Sequence, residues 1–354
     1  MSVLSDGKKG ETYAGAGVDI TLKSKVISSI GKLARGTYRP EVVSGVGPFS
    51  GLFEFKGYKE PLIVSSVDGV GTKIKLAIAM DKHDTVGIDI VNHCVNDILT
   101  CGAEPLFFLD YIGTGRVVPE RIESIISGLS KACLDAGCAL ISGELAEMPG
   151  IYSGDDYDLA GFIVGAVEKG SIISGENISA GDTVIGLPSS GLHTNGYSLA
   201  RKIFGETGEA LQARYPELNA TIGEVLLEPH RCYYNQVKPL MPYLKGISHI
   251  TGSGITGNLS RILPSGLAAS LDSSQWNILP IFSLLQQKGS VETEEMYRVF
   301  NMGVGLCLIC SPDDSGKITG ALPEASVIGE IVKQTGDARV IIDGAGYRQD
   351  KGIA

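Results

Sequence analysis

The sequence has no cluster of basic residues and no long apolar run. Its 354 residues include 30 Lys and Arg against 40 Asp and Glu, for a formal net charge of −10, so we do not expect nucleic acid as a main partner. No uninterrupted apolar run approaches the roughly 18 residues of a membrane span. Residues 1–12 are polar, lack the apolar segment of a signal peptide and are predicted to form a flexible tail. These absences favour a cytoplasmic protein without a membrane partner.

Paired cysteine motifs typical of metal binding are also lacking. Cys307 and Cys310 form a C-x-x-C, but it lies within an apolar run and has no second pair or nearby histidine. A zinc site is therefore not expected at these two cysteines. We predict that most of the seven cysteines are buried free thiols in a reducing compartment.

The glycine-rich stretch at residues 65–73 does not match the common phosphate loop, G-x-x-x-x-G-K-[ST]. It follows an apolar run, 61–64, that predicts a buried strand, and it precedes an apolar segment, 74–80, that can continue as a helix. Asp68 could hold a divalent cation, and Lys73 and the backbone N–H groups could meet a phosphate. On residue types alone, a glycine-rich structural turn is an equal alternative.

What the sequence does contain is an apolar, glycine-rich chain long enough for two domains. Hydrophobic residues make up 43% of it, and it has 47 glycines, a composition typical of a packed protein with many tight turns. Strand and helix patterns alternate in the first half. We place a boundary near residues 170–175, which predicts an N-terminal domain over 13–172 and a C-terminal α/β domain over 173–354.

A polar stripe marks a predicted helix over residues 86–101. Asp89, His93 and Asp97 are spaced at i, i+4 and i+8 and therefore lie on one side of that helix. The stripe is either a solvated face or a row of ligands facing a cation. The apolar residues around it favour the ligands.

Two further acids and a second glycine-rich loop extend this pattern. Glu144 and Glu147 follow a predicted strand over residues 139–142, where carboxylates suit metal or phosphate chemistry. The loop at 45–51 flanks a short strand and could meet the glycines at 69–71 in space.

Residues 188–198 form another strand–glycine–helix turn, and it carries a polar cluster. A lone histidine in a loop is more often a hydrogen-bonded surface residue than a catalyst. His193, however, lies between Ser190, Thr194 and Asn195 at a predicted helix start, which favours a functional role.

Longer motifs recur through most of the chain, from about residue 13 to 332. In the first half they occupy residues 16–20, 67–73, 83–89, 94–97, 102–111, 146–150 and 157–162. In the second half they occupy 189–191, 195–199, 249–252 and 300–305. Together and in this order, they resemble the phosphoribosylformylglycinamidine cyclo-ligases, also called aminoimidazole ribonucleotide synthetases.

The resemblance implies an ATP-dependent enzyme of purine biosynthesis with Mg²⁺ as a cofactor. Such enzymes close an imidazole ring: formylglycinamidine ribonucleotide and ATP give aminoimidazole ribonucleotide, ADP and phosphate. The resemblance also implies a homodimer of two-domain α/β subunits. The N-terminal domains of such proteins pair into a β-barrel across the dimer interface, and each C-terminal domain is an α/β layer beside it.

The same resemblance directs the expected site residues. The metal ligands are expected to be Asp68, Asp97 and Glu144, and the catalytic residues His193, Asp97 and Lys73. His193 would hydrogen-bond the amide or move the proton lost on ring closure. The expected ATP- and phosphate-binding residues are Gly45, Gly47, Gly51, Asp68, Gly69, Gly71, Thr72, Lys73 and Asp89, with Lys32 as a further cation. The expected substrate-binding residues are Ser190, Gly191, His193, Thr194 and Asn195.

The chain departs from the family pattern at a few positions. Leu145 and His230 replace the usual threonines, Leu192 the usual proline, and Ser253 a usual glycine, while Gly31 stands where a lysine is often found. The change at Leu145 removes a hydroxyl beside an expected metal ligand. These departures bear on local substrate contacts and leave the expected fold unchanged.

Two related ATP-dependent phosphotransferases are the alternatives, and a non-catalytic nucleotide-binding partner is a third. Selenophosphate synthetase carries a cysteine or selenocysteine in its N-terminal segment, whereas the first cysteine here is Cys94. Thiamine-phosphate kinase shares an acidic ATP site but not the run of motifs. The complete acidic set argues against a protein that has lost catalysis.

Overall fold

The computed structural model describes residues 20–343, apart from the side chains of residues 20–22, 24 and 25. The predicted tail, residues 1–12, lies outside this range. So do residues 18 and 19, the first two of a helix that the sequence predicts over 18–32. Within it the N-terminal half contains helices α1 Ile20–Arg35, α2 Lys73–Met80, α3 Asp84–Leu99 and α4 Pro119–Ala136. Its strands are β1 Val42–Ser44, β2 Leu52–Phe53, β3 Pro61–Gly69, β4 Glu104–Thr114, β5 Ala139–Glu147 and β6 Tyr157–Glu168.

The C-terminal half alternates shorter elements around a second sheet. Its strands are β7 Thr183–Pro188, β8 Leu244–His249, β9 Leu267–Asp272, β10 Val304–Cys310, β11 Ser326–Lys333 and β12 Val340–Asp343. Its α-helices are α5 Tyr197–Phe204, α6 Gly208–Leu211, α7 Ile222–Leu226, α8 Tyr234–Val237, α9 Gly254–Ser260, α10 Pro280–Gly289, α11 Thr293–Val299 and α12 Pro312–Ala321.

Two large sheets organise these elements, and β1 and β2 pair separately as a two-stranded sheet. The N-terminal sheet has the order β3-β6-β4-β5, and the C-terminal sheet has the order β12-β9-β11-β7-β10-β8. Only the pairs β4–β5 and β9–β12 are parallel. Strand β10 is buried at every residue, and all seven cysteines of the chain are free, five of them buried. The prediction of buried thiols is thus confirmed for most of them.

Helices α3 and α4 cover one face of the N-terminal sheet and pack closely on each other. A Cβ atom at Gly128 would lie 2.0 Å from the carbonyl oxygen of Asp84, and one at Gly87 would lie 2.1 Å from that of Ile125. The two glycines therefore allow the helix backbones to approach. This contact fixes the position of α3, the helix that carries the polar stripe.

The opposite face of the N-terminal sheet is open, which corrects one sequence expectation. The run 61–64 was expected to be a buried strand, but Ile63, which lies on this open face, is 60% exposed. Leu62, on the other face near the start of the strand, is 40% exposed. On the same open side, Val67 pairs across strands with Phe162, and both are exposed, at 59% and 41%. An apolar run predicts burial only where another layer covers it.

Strand boundaries also differ from expectation around the predicted acidic turns. Strand β3 continues through Asp68 to Gly69, and β5 continues through Glu144 to Glu147. The acids are therefore part of the sheet rather than of loops after it. Gly71, with φ +70°, makes the turn into α2, a conformation that favours glycine.

None of the helices in residues 20–343 is long and apolar enough to cross a membrane.

Candidate functional site: a polar cleft between the two halves

Lys73 is buried between the two halves of the chain. Its Nζ pairs with Asp89 at 2.9 Å to Oδ1 and 2.8 Å to Oδ2, and it donates to the carbonyl oxygens of His193 at 3.1 Å and Glu228 at 2.7 Å. Burial lowers the pKa of Lys73 and raises that of Asp89, and the pairing opposes both shifts. All three ammonium donors thus have oxygen partners, so Lys73 would have to leave them to contact a phosphate.

The polar stripe of α3 is buried against the segment 228–233. Asn92 donates to the carbonyl oxygen of His230 at 2.6 Å, and Asn96 donates to that of Arg231 at 2.8 Å. The backbone N–H of His230 donates to Asp89 at 2.7 Å. This polar side of α3 therefore joins the two halves of the chain in part. The sequence alone had suggested only a solvated face or a row of cation ligands.

A cleft of about 390 Å³ opens between the two halves, and we call it the central cleft. Its lining includes Ser66, Asp97, His249, Asn258 and Arg261. Strand β3, helix α3, strand β8 and helix α9, with the residue that follows α9, supply these side chains. Carboxylate, imidazole, amide and guanidinium groups converge there, as is typical of a polar ligand site.

Four of the five histidines cluster at the inner end of the central cleft. The rings of His193 and His230 stack with centroids 4.0 Å apart. The rings of His93 and His249 lie 5.1 Å apart, and the Nε2 atoms of His230 and His249 lie 3.0 Å apart. We call these four residues the histidine cluster.

Two carboxylates border the histidine cluster. The Nε2 atom of His93 lies 2.8 Å from Oδ2 of Asp68 and 3.7 Å from Oδ2 of Asp97. The Nδ1 atom of His249 lies 2.8 Å from Oδ1 of Asp97, and Ser66 donates to Oδ2 of Asp97 at 3.0 Å. Asp68 and Asp97, both predicted as metal ligands, are thus brought to one place.

The cluster contains histidines in different electrostatic settings. Burial lowers the pKa of His193 and His230 well below the usual value, so both are neutral near pH 7. Burial also lowers the pKa of His93, but its hydrogen bond to Asp68 and the charges of Asp97 and Asp68 outweigh it, so that this pKa is raised. One imidazole therefore carries positive charge more readily than its neighbours.

His193 is fully buried in the predicted substrate turn. Its side chain is 0% exposed, and its Nε2 accepts a hydrogen bond from the backbone N–H of Ser190 at 3.1 Å. Its φ of +62° is uncommon for a residue with a side chain. Direct contact between His193 and a substrate therefore requires movement of the surrounding residues.

The other predicted substrate residues surround His193. The hydroxyl of Thr194 lies 2.8 Å from Nδ1 of His93. The hydroxyl of Ser190 donates to the carbonyl oxygen of Pro229 at 2.6 Å, and Asn195 is partly exposed. Gly191 accepts from Asn301 at 2.8 Å. The turn thus belongs to the boundary of the histidine cluster.

Glu144 and the glycine loop at 45–51 lie at a second place, which we call the β5 pocket. This pocket of about 200 Å³ is lined by Lys23, Gly47, Asp110 and Glu144 among apolar side chains. Lys23 pairs with Glu144 at 3.5 Å.

Each of the three predicted glycines of the loop has a distinct setting. A Cβ at Gly45 would meet the Tyr38 hydroxyl at 1.7 Å, one at Gly51 would meet Ile141 at 2.9 Å, and Gly47 has φ +136° with open space around it. Packing thus explains Gly45 and Gly51, and backbone conformation explains Gly47.

Asp68 and Glu144, which were predicted as ligands of one metal site, lie apart in the sheet. Asp68 pairs with Gly161, which pairs with Asp110, which pairs with Gly143 beside Glu144. At about 4.8 Å per strand, Asp68 and Gly143 are about 14 Å apart. Within one chain, Glu144 therefore lies too far from Asp68 for the two side chains to share an ion.

Asp110 is a buried acid that sequence reasoning did not select. It lies on the helix-covered face of β4 and is 8% exposed. Burial raises its pKa to about 7, with a further contribution from the charge of Glu144. The acid therefore holds a proton through much of the range in which an exposed aspartate is ionised.

Replacement of Asp110 by asparagine is expected to change how stability depends on pH. The pKa of Asp110 is raised in the folded state, so the wild type takes up a proton on folding between about pH 4 and pH 7. Its free energy of unfolding therefore falls by about 1.4 kcal/mol for each unit by which the pH rises across that window. Asp110→Asn removes this slope. Urea unfolding of both proteins at pH 5, 6, 7 and 8 measures it, and a constant difference at every pH contradicts the prediction.

Sequence reasoning missed the partners that complete the cluster. Ser66 and His249 lie within longer segments or motifs, and His230 is a departure from the family pattern. No short spacing in the sequence connects any of the three to α3. One local signal could have indicated His249. It ends a strand that leads into a glycine turn at 249–254, the same pattern as at 188–198.

Models of known protein families match both halves of the chain. Residues 55–167 match the family described as AIR synthase related protein, N-terminal domain, and residues 179–342 match its C-terminal domain. The chain therefore belongs to the AIR synthase related proteins, with the two-domain α/β organisation of that class.

Within that class the chain belongs to the phosphoribosylformylglycinamidine cyclo-ligase family. It is 49% identical over 335 residues to the protein of that name from Geobacillus kaustophilus, covering 92% of this chain and 97% of that protein. It is 50% identical over 334 residues to the one from Desulfitobacterium hafniense, covering 92% and 98%.

Solved structures share the fold at low identity. Thiamine-monophosphate kinase from Stenotrophomonas maltophilia has a TM-score of 0.67 at 16% identity, covering 93% of this chain and 97% of its own. Hydrogenase maturation protein HypE in complex with ATP has a TM-score of 0.66 at 16% identity, covering 96% of each chain. The kinase that served as an alternative is thus a relative in fold.

Proposed function

We propose that this protein is an ATP-dependent cyclo-ligase of purine biosynthesis. It converts formylglycinamidine ribonucleotide and ATP into 5-aminoimidazole ribonucleotide, ADP and phosphate. The observation that carries this proposal is the identity of 49% and 50% with full-length proteins named phosphoribosylformylglycinamidine cyclo-ligase. The polar central cleft supports it, since phosphoryl transfer depends on positioned charges.

The chemistry begins at the formyl oxygen, which is a poor leaving group by itself. That oxygen attacks the γ-phosphorus of ATP, a P–O bond forms, and ADP leaves. The ribose-bearing nitrogen then attacks the activated carbon, and the C–O bond breaks with release of phosphate. The nitrogen loses its proton as the ring closes.

Asp68 and Asp97 are the groups we assign to the divalent cation of this reaction. Both carboxylates lie beside Nε2 of His93, Asp68 at 2.8 Å and Asp97 at 3.7 Å. Carboxylates are suitable ligands for a divalent cation. A bound cation supplies neutralisation of phosphate charge. The protein's own contribution is to hold both acids by hydrogen bonds, from Gly69 N–H to Asp68 at 2.7 Å and from Ser66 to Asp97.

The histidine turn is assigned to the substrate side of the cleft. Asn195 and Thr194 border the cluster and can orient an amidine or formyl group by hydrogen bonds. His193 is assigned to the proton lost on ring closure, which requires the turn to open, and its neutral imidazole is the form able to accept a proton.

The β5 pocket is assigned to the nucleotide. Its glycine loop offers backbone N–H groups, and Lys23 offers a cation, for phosphate binding. Glu144 belongs to this second position, about 14 Å from Asp68 across the sheet. Gly69, Gly71 and Thr72 stay assigned to phosphate at the cleft edge, while Lys73 and Asp89 support them from the buried ion pair.

We further infer that the protein is a homodimer joined through the open face of the N-terminal sheet, with the boundary between its domains near residue 172. Val67 and Phe162 lie side by side on that face at 59% and 41% exposure, close to Ile63 at 60%. Neighbouring exposed apolar side chains on a sheet are a liability unless another layer covers them. A second copy of the same face closes the two four-stranded sheets into a barrel.

Replacement of Phe162 by aspartate is expected to dissociate this dimer, because it places a charge within the apolar contact. Light scattering measures the mass, with twice 37.2 kDa expected for the wild type and 37.2 kDa for the variant. Leu134→Ser is the matched control, since Leu134 is 55% exposed on the helix layer. A wild-type mass of 37.2 kDa contradicts the dimer.

The activity itself is tested by incubating purified protein with ATP, Mg²⁺ and formylglycinamidine ribonucleotide. We expect ADP and aminoimidazole ribonucleotide to form in equal amounts, with no ADP release when the second substrate is omitted. Thiamine phosphate and selenide in place of that substrate test the two alternatives. Absence of substrate-dependent ADP release with formylglycinamidine ribonucleotide excludes the cyclo-ligase.

A further inference from the structure

The central cleft is lined by an arginine that has no anionic partner. Among the described residues around the cleft, Arg261 is the one lysine or arginine, and no ion pair joins it to a carboxylate within residues 20–343. Six other arginines in the described part of the chain do pair with aspartate or glutamate: Arg39, Arg116, Arg121, Arg201, Arg231 and Arg298. The guanidinium group of Arg261 is therefore available to an anion that enters the cleft.

A hydroxyl group lies beside this guanidinium group. Nη2 of Arg261 donates to Oγ of Ser253 at 3.4 Å. A Cβ atom at Gly257 would lie 2.5 Å from Cβ of Ser253 and 2.7 Å from its Oγ, so the glycine leaves the space that the serine side chain occupies. Ser253 is one of the departures from the family pattern, which has glycine there. The hydroxyl beside Arg261 is thus a feature of this chain.

The backbone from which Arg261 projects is held by hydrogen bonds. The side-chain amide of Asn258 donates to the carbonyl oxygen of Gly254 at 2.8 Å, and its Oδ1 accepts from the hydroxyl of Thr251 at 3.1 Å. The backbone N–H of Arg261 donates to the carbonyl oxygen of Asn258 at 3.2 Å. Because the base of the side chain is fixed, binding at its exposed end has less conformational entropy to lose.

A phosphate group matches Arg261 in both charge and shape. The fork of N–H donors on a guanidinium group binds two phosphate oxygens at once. The one carboxylate that lines the cleft, Asp97, is assigned with Asp68 to a divalent cation that serves the phosphates of ATP. A second phosphate in the same cleft needs a second cation, and Arg261 supplies it.

The position of Arg261 favours the ribonucleotide over ATP as the source of that phosphate. Strand β3 borders the cleft and β5 borders the pocket assigned to the nucleotide, and these strands are the two edges of the N-terminal sheet. ATP therefore approaches from the N-terminal sheet. Arg261 follows α9 of the C-terminal half, the half that also supplies the histidine turn assigned to the substrate.

We propose that Arg261, held by Ser253, binds the phosphate group of the ribonucleotide substrate in the central cleft. The inference deepens the proposed function and rests on it for the identity of the ribonucleotide. Arg261 recognises a phosphate monoester on a ribose and discriminates against the riboside that lacks it. Because this contact is the same before and during ring closure, its loss raises KM and leaves kcat nearly unchanged.

Binding is measured by calorimetry in the absence of ATP, so that no turnover occurs. The wild type is expected to bind formylglycinamidine ribonucleotide about 10–100-fold more tightly than the corresponding riboside, as a hydrogen-bonded charge pair provides. Arg261→Met is expected to reduce the affinity for the ribonucleotide to near that for the riboside, and to leave the affinity for the riboside unchanged. Equal losses for the two ligands, or no loss for either, overturn the proposal. A loss of affinity for ATP with Mg²⁺ instead would place the ATP phosphates at Arg261 and also overturns it.

Two further variants test the contacts of the guanidinium group. Ser253→Gly restores the glycine of the family pattern and is expected to weaken ribonucleotide binding by about 2–10-fold, since one neutral contact is lost. Arg298→Met is the matched control, because Arg298 is 60% exposed and pairs with Glu295 of its own helix. Equal affinities of Arg261→Met and Arg298→Met for the ribonucleotide, with both folded by circular dichroism, overturn the proposal.

Ribose 5-phosphate as a second probe separates this inference from the proposed function. If Arg261→Met weakens its binding by about 10–100-fold, the phosphate site stands even when no ring closure is detected. If ring closure proceeds with the same KM for the ribonucleotide in Arg261→Met as in the wild type, the proposed function stands and the phosphate site is overturned.

Discussion

Replacement of Lys73 by methionine is expected to lower the free energy of unfolding by about 3–5 kcal/mol. The variant leaves the carboxylate of Asp89 buried without its cation, and two carbonyl oxygens, those of His193 and Glu228, lose a donor. The loss is large because the pair is 0% exposed on both sides, so water cannot replace the ammonium group. Urea unfolding followed by circular dichroism measures it.

Lys75 provides a matched control two positions along the chain. It pairs with Asp156 at 2.6 Å, but the two side chains are 44% and 36% exposed. Lys75→Met is therefore expected to change stability by less than about 1 kcal/mol. The double variant Lys73→Met, Asp89→Asn is expected to recover part of the loss, since it removes the unpaired charge. Equal losses for Lys73→Met and Lys75→Met would show that burial does not distinguish the two lysines.

Replacement of Asp97 by asparagine is expected to lower the rate of coupled ADP formation and ring closure by about 10²–10³-fold. Within residues 20–343, Asp97 is the one acid that contacts both His93 and His249 and also lines the central cleft. The amide preserves the shape of the side chain and removes the charge that faces a cation. Steady-state assays with saturating ATP and excess Mg²⁺ measure the rate.

The control for this variant is Asp135→Asn. Asp135 pairs with Lys131 at 2.8 Å on the exposed side of α4, away from the cleft, and its replacement is expected to leave the rate unchanged. Thermal unfolding of both variants shows whether each is folded. A near wild-type rate for folded Asp97→Asn would refute the assignment of the cation to α3.

Local patterns in the sequence were sufficient to predict most of the N-terminal elements. The sequence predicts a helix over residues 120–136, which is α4, from the helical spacing of five apolar residues. All five are buried: Ile122, Ile125, Ile126, Leu129 and Cys133. The i, i+4, i+8 spacing of the polar stripe placed His93 and Asp97 on one face of α3, where Nε2 of His93 lies 3.7 Å from Oδ2 of Asp97. Such predictions succeed because a helix fixes the relation between residues three and four positions apart.

The same patterns did not predict which layer would cover each strand. Ile63 and Val67 have the residue types of a buried strand, and they are exposed because the helices pack on the other face of the sheet. Lys73 shows the reverse case. Its position beside glycines indicated a phosphate ligand, whereas the C-terminal half covers it and supplies two carbonyl oxygens. Coverage depends on contacts between segments far apart in the chain.

Residues 68–73 show which features the sequence predicts and which depend on the tertiary structure. By itself, the sequence determined the family, through motifs spread over nearly the whole chain, and the glycine turn between a strand and a helix, at residues 69–71. Only the tertiary structure decided that Asp68 meets His93, that Lys73 is enclosed, and that Glu144 lies three strands away. The histidine cluster joins α3, the turn before α5, the segment after α7 and the end of β8. No spacing rule relates these segments, because it is the packing of the two domains that brings them together.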